Sequence, residues 1–206
     1  MNRQATRLAT ETATSTSPVS RSERRVPGEG GIWIVLFGDM LVFGVFFATF
    51  MYERGRAPEV FDQSRRMLSI GIGLTNTLIL LTGSLFVITA IHAIRSSERL
   101  AARWLLAAAL ACGLAFVGLK AVEYTAKVSQ GHTPNQNTFF LYFFILTGLH
   151  LFHVLIGIAV LVLLLTQAGR VELGTTKMAL VEGGGCFWHL VDLLWIVLFP
   201  LLYLVS

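Results

Sequence analysis

The sequence predicts an all-α fold, a polytopic transmembrane bundle of five helices, and three observations carry that prediction. Of 206 residues, 54% are hydrophobic and only 14% charged, where an ordinary soluble domain has about a quarter of its residues charged. The charges crowd into residues 1–30 and into short connectors. Between them run five apolar stretches, each at or above the roughly 20 residues that a helix needs to cross the hydrocarbon.

Residues 1–30 are rich in Thr, Ser and Arg and have no apolar periodicity, so they bury too little surface to offset the entropy of ordering. They are expected to form a disordered cytoplasmic tail. An organelle transit peptide is the competing reading, and Glu11, Glu23 and the lack of an amphipathic stripe count against it. No cleavable signal peptide is expected, because the first apolar run starts near Ile32 and is already long enough to span.

Residues 31–206 are then the transmembrane domain, with spans near Ile32–Tyr52, Leu68–Ile94, Ala102–Ala126, Thr138–Thr166 and Met178–Leu204. Lipid offers the backbone no hydrogen-bonding partner, and a barrel would show alternation over about ten residues rather than continuous runs. Lys and Arg fix the expected orientation. The tail side carries Arg3, Arg7, Arg21, Arg24, Arg25, Arg95, Arg99, Arg103, Arg170 and Lys177; the other carries Arg54, Arg56, Arg65, Arg66 and Lys127. This predicts a cytoplasmic N-terminus and an outside C-terminus.

The net charge of +4 does not point to nucleic acid, because the basic residues sit in tail and loops without interleaved exposed aromatics. Cys112 and Cys186 lie far apart in apolar segments with no CxxC spacing, and read as small packing residues.

An ionisable side chain at bilayer depth costs at least about 2.5 kcal/mol unless it finds a partner or water. Asp39, Glu123, His150, His153, His189 and Asp192 all fall in spans. His150 and His153 share a helical face, as do His189 and Asp192. All four arrive roughly 15–24 Å below their surface of entry, so an interhelical polar network is expected where they meet. Glu123, near the outer end of its helix, is expected to belong to this interhelical network at a different depth, and Asp39, roughly 10 Å from the inner end, to lie in a separate layer.

Paired histidines also suit haem, which needs two oriented axial imidazoles, and a carboxylate-bridged di-iron site needs two Glu-x-x-His pairs. The chain lacks that pair of motifs. No metal site or cofactor is therefore expected within it, although an independent membrane haem or metal protein using His150, His153 and His189 stays open as an alternative. Proton relays also use such residues, and Asp39 is the proton-linked candidate, against a carboxylate bonded to a neighbouring helix or a lipid headgroup. Lys120 either pairs with Glu123 or snorkels outward. Glu182 and Gly183–Gly185 suit close helix approach. Trp188 and Trp195, seven apart on one face, read as packing or interface anchors.

Two segments carry a family resemblance: FFILTGLHLFHVLIG at 143–157 and FWHLVDLLWIVLF at 187–199, preceded in order by Glu123–Tyr124. Together they resemble subunit III of the haem-copper oxidases, over about residues 31–204, in its five-helix bacterial form. Asp39 stands where the family usually has Glu, and Lys120 where it usually has glutamine. Both departures also suit a branch found beside nitric oxide reductases.

The resemblance implies an accessory, noncatalytic subunit of a cytochrome c oxidase-type complex in the bacterial plasma membrane, steadying the catalytic subunit and supporting proton uptake. Its partners would be catalytic subunit I, possibly subunit II, and membrane lipids. Haem and copper would reside in those subunits, with phospholipid bound between helices of this one. An assembly or activation subunit for a nitric oxide reductase is the alternative within the family.

Overall fold

The computed structural model describes residues 30–168 and 175–205, and the expected tail lies outside them but for its last residue. The described chain is all-α: α1 (Gly30–Arg56), α2 (Pro58–Arg66), α3 (Ile70–Arg95), α4 (Arg99–Ser129), α5 (Thr138–Gln167) and α6 (Thr175–Phe199), closed by a π-helical turn, Pro200–Leu204. Five of these are long and apolar enough to cross a membrane.

The helices begin and end where local chemistry dictates. Asn137 caps α5, its side-chain oxygen accepting from the Phe140 N–H at 2.9 Å. Pro58 opens α2, where its missing N–H costs no hydrogen bond. The α3–α4 connection turns on Ser97 at φ 62°, and the Glu98 N–H reaches back to the Ala93 carbonyl at 2.8 Å, a C-terminal closure that usually recruits glycine.

Two features depart from the expected spans. The connector after the first span, expected as loop, holds the short helix α2, whose Phe61 is buried against Phe50 and Phe139. The last span does not run straight to its end. Pro200 removes one backbone donor, and the wider turn that follows accommodates the loss, with the Val205 N–H bonding the Pro200 carbonyl.

Helix α6 is the centre of the bundle. More than half of its spanning window is buried, against a third or less for every other span, and it packs on α3 and α5 and touches α1. Between helices in lipid the hydrophobic effect supplies little, so close packing must hold them. Trp188 shows how: Gly83 of α3, Gly113 of α4 and Gly157 of α5 surround its indole, and a methyl on them would sit 3.6, 3.0 and 2.9 Å from the ring. Helix α1 occupies the edge, against α2, α5 and α6.

Candidate functional site

The polar residues at membrane depth fall into four groups. The most buried is on α4, where Lys120 and Glu123, one turn apart, are 0% and 2% exposed. The Lys120 ammonium donates to Glu123 Oε2 at 2.7 Å and to the Tyr203 hydroxyl at 3.0 Å, and that hydroxyl donates to Glu123 Oε1 at 2.7 Å. The same ammonium lies 4.6 Å from the centre of the Trp195 ring. Every strong demand of this ion pair is thus met inside the chain, which is the condition for tolerating a buried charge.

The α2 region covers this end. The Arg65 guanidinium reaches the Tyr203 carbonyl at 3.5 Å, the Asn137 amide donates to Ser64 Oγ at 2.9 Å, and Lys127 donates to the Met67 carbonyl.

The second group is aromatic. His150, fully buried, is flanked by Phe116 and Trp195 with ring centres 5.5 and 5.1 Å away. Neither of its nitrogens has a protein partner, nor has the amide of buried Asn76. Trp195 donates its indole N–H to Thr77 on α3 at 3.0 Å.

In the third group, His189 Nδ1 lies 2.6 Å from Ser84 Oγ of α3, with the Asp192 carboxylate beside the same hydroxyl. The fourth joins the edge helix to the bundle: His153 Nε2 of α5 stands 3.4 Å from Asp39 Oδ1 of α1, and His153 Nδ1 lies 2.8 Å from the Leu149 carbonyl.

This arrangement corrects three expectations. His150, His153, His189 and Asp192 do not meet in one network: His153 faces Asp39, His189 and Asp192 face Ser84, and His150 lies among aromatic rings. Residues three apart on a helix are rotated by about 60° from one another, enough to aim His150 between α4 and α6 and His153 at α1. Nor is Asp39 in a layer of its own. It lies about 14 Å along α1 from Gly30, while His153 lies about 21 Å from the end of α5 at Gln167, and the longer α5 brings the two level. Glu123, expected in the network with the histidines, is paired with Lys120 instead.

Trp188 and Trp195 both sit inside the bundle, 1% and 0% exposed, rather than at its rim. Glu182 pairs with Arg95 of α3 at 2.9 Å. Cys112 and Cys186 are free thiols. Among the described residues no three His, Cys, Asp or Glu side chains converge as metal ligands do. The arrangement can hold ion pairs and protons. A crevice of about 310 Å³ also opens where the start of α4 meets the end of α5, lined by Leu100, Arg103, Trp104, Ala107 and Leu165.

Sequence reasoning missed Tyr203, Ser84, Thr77 and Asn76. The α3 partners had a signal: Gly73, Leu80 and Val87 recur every seven residues, as do Asn76, Gly83 and Ala90, and all are buried. Such a stripe of small and polar residues is what a close interhelical seam needs. Tyr203 had none, because Pro200 changes its angular position on the helix.

Comparison with known proteins gives the family. Residues 28–206 match cytochrome c oxidase subunit III. A probable quinol oxidase subunit 3 of Staphylococcus haemolyticus is 30% identical over 180 residues, covering 85% of this chain and 88% of that protein. A cytochrome c oxidase subunit 3 of Alkalihalophilus pseudofirmus is 28% identical, covering 85% of each, and a probable quinol oxidase subunit 3 of Staphylococcus aureus is 27% identical over 85% of this chain and 88% of its own. All three are named as oxidase subunits, which gives no support to the nitric oxide reductase alternative. With the match running from just before α1 to the last residue, and one relative at 30% identity over most of both chains, the chain belongs to the cytochrome c oxidase subunit III family.

Proposed function

We propose that this multi-pass protein of the bacterial plasma membrane is the accessory, noncatalytic third subunit of a haem-copper terminal oxidase, that it steadies the catalytic subunit, and that it sustains proton uptake. Subunit I, and with it subunit II, would be the partners and would hold the haem and copper. The observation that carries this reading is how the buried ionisable groups are spent. Lys120 and Glu123 are satisfied by each other and by Tyr203, and His189 meets the Ser84 hydroxyl with Asp192 beside it, so that most of these groups are set against side chains of this chain, as suits a scaffold.

Asp39 differs from these in its exposure, which supports its proton-linked role. Its side chain is 24% exposed, on the edge helix, with one long contact to an imidazole. The crevice beside Arg103 and Trp104 supports phospholipid binding: an apolar groove for an acyl chain with a guanidinium at its rim for the phosphate. The two-to-one excess of Lys and Arg supports a cytoplasmic N-terminus and an outside C-terminus.

Purification of the tagged chain in mild detergent tests the reading. A haem-bearing catalytic subunit is expected to copurify, with oxygen consumption reduced on deletion of the chain. A chain always recovered alone, or one whose own histidines hold a haem seen as a Soret band, would overturn it.

A further inference from the structure

The contact between α1 and α5 carries information about a proton. His153 Nδ1 lies 2.8 Å from the Leu149 carbonyl, and a carbonyl only accepts, so Nδ1 bears a hydrogen. In a neutral ring Nε2 is then a bare lone pair. That lone pair stands 3.4 Å from a carboxylate oxygen of Asp39, which when ionised is also only an acceptor. Two acceptors facing each other at this distance repel. One further proton converts the contact into attraction, as imidazolium against carboxylate or as imidazole accepting from carboxylic acid.

We propose that Asp39 and His153 form a single proton-binding site, in which one proton held between Nε2 and the carboxylate joins α1 to α5. The proposal rests on the proton-linked reading of Asp39 and adds to it the partner and the stoichiometry.

The surroundings favour the one-proton state. Phe43 and Phe152 flank the imidazole at 5.5 and 5.8 Å, so a net charge there has little to solvate it. Of the other ionisable groups on the elements packed here, His150 lies within electrostatic reach of His153, and none bonds to either member of the pair. His150, one turn away on α5, faces Phe116 and Trp195; α6 directs His189 and Asp192 at Ser84; Lys120 of α4 is bonded to Glu123; the charges of α2 follow the far end of α1. Loss of the proton leaves like-natured groups opposed on an edge helix.

The test is infrared difference spectroscopy on the oxidase complex containing this chain, in lipid nanodiscs, with ¹³C-labelled aspartate, across a pH range in H₂O and D₂O. The expected result is one deuterium-sensitive transition lost equally in Asp39→Asn and His153→Gln, with no further change in the double variant. A transition that survives unaltered in His153→Gln overturns the shared site.

Should His153→Gln fail to assemble, ¹⁵N-histidine NMR of the unsubstituted complex replaces it. Ring and carboxyl should then change together at one pH, and two separate transitions overturn the proposal. Turnover separates this inference from the reading beneath it. A shared transition with normal Asp39→Asn turnover leaves the site standing and removes its role in proton uptake; slowed turnover with independent transitions does the reverse.

Discussion

Two acid–base pairs sit at membrane depth in this protein, and they are built in opposite ways. Lys120 and Glu123 are enclosed on every side, and the ammonium finds a carboxylate, a phenol and an indole face. Asp39 and His153 meet at 3.4 Å between the edge helix α1 and α5, with the carboxylate side chain 24% exposed. A buried charge given a full set of partners has no reason to change state, so it serves structure. A pair whose attraction depends on one proton changes its mechanical contact when that proton leaves. The difference between lock and switch lies in the number of partners, not in depth.

The sharpest way to break this comparison is to remove Glu123. Glu123→Ala leaves the Lys120 ammonium uncompensated and should cost about 3–5 kcal/mol, read as loss of assembled complex. Lys120→Gln with Glu123→Gln should recover most of that; if the double variant is as poor as the single, the pair is not a unit. Next in size is His189→Ala, which strands the Ser84 hydroxyl beside Asp192 and should cost about 1–3 kcal/mol, seen as a lower midpoint of thermal aggregation.

Gly157→Ala sharpens the packing side of the argument. A methyl 2.9 Å from the Trp188 ring should cost about 1–3 kcal/mol by overpacking and leave the turnover of surviving complex unchanged. Asp39→Asn should lie at the other extreme from Glu123→Ala. An amide donates to Nε2 without a titratable proton, so stability should shift by under about 1 kcal/mol while proton-coupled turnover slows. Equal loss of protein in Asp39→Asn and Glu123→Ala would erase the distinction between the pairs. The smallest effect expected is a gain: Ser97→Gly relieves a positive φ, a strain of roughly 1 kcal/mol that the backbone entropy of glycine, about 0.5–1 kcal/mol, largely offsets, and it should leave both pairs and turnover untouched.

Much of this was legible in the residues. Five spans follow from the length of apolar runs, because lipid leaves the backbone only one economical choice. The identity of the buried polar residues was legible too, since each stood out against an apolar background. Their partners were less so. Which neighbour His150 and His153 face depends on rotations of a few tens of degrees and on where each helix begins, and neither is written in spacing along one helix. Helix α2 was hidden because six of its nine residues are polar or charged and its one burying ring, Phe61, looks no different from a loop aromatic. Tyr203 was hidden by the turn at Pro200, which moves it onto the ion pair.

The socket around Trp188 has a consequence in time. Its walls, Gly83, Gly113 and Gly157, belong to three helices made before α6, and chains emerge N-terminus first. The hole is finished before its occupant exists. Until α6 arrives, the three earlier helices have no ring to fill the space between these glycines, and α6 is the segment that seals it. Closure of the bundle therefore waits on a single keyed step, and a chain cut short before Trp188 lacks the ring that fits between the three glycines.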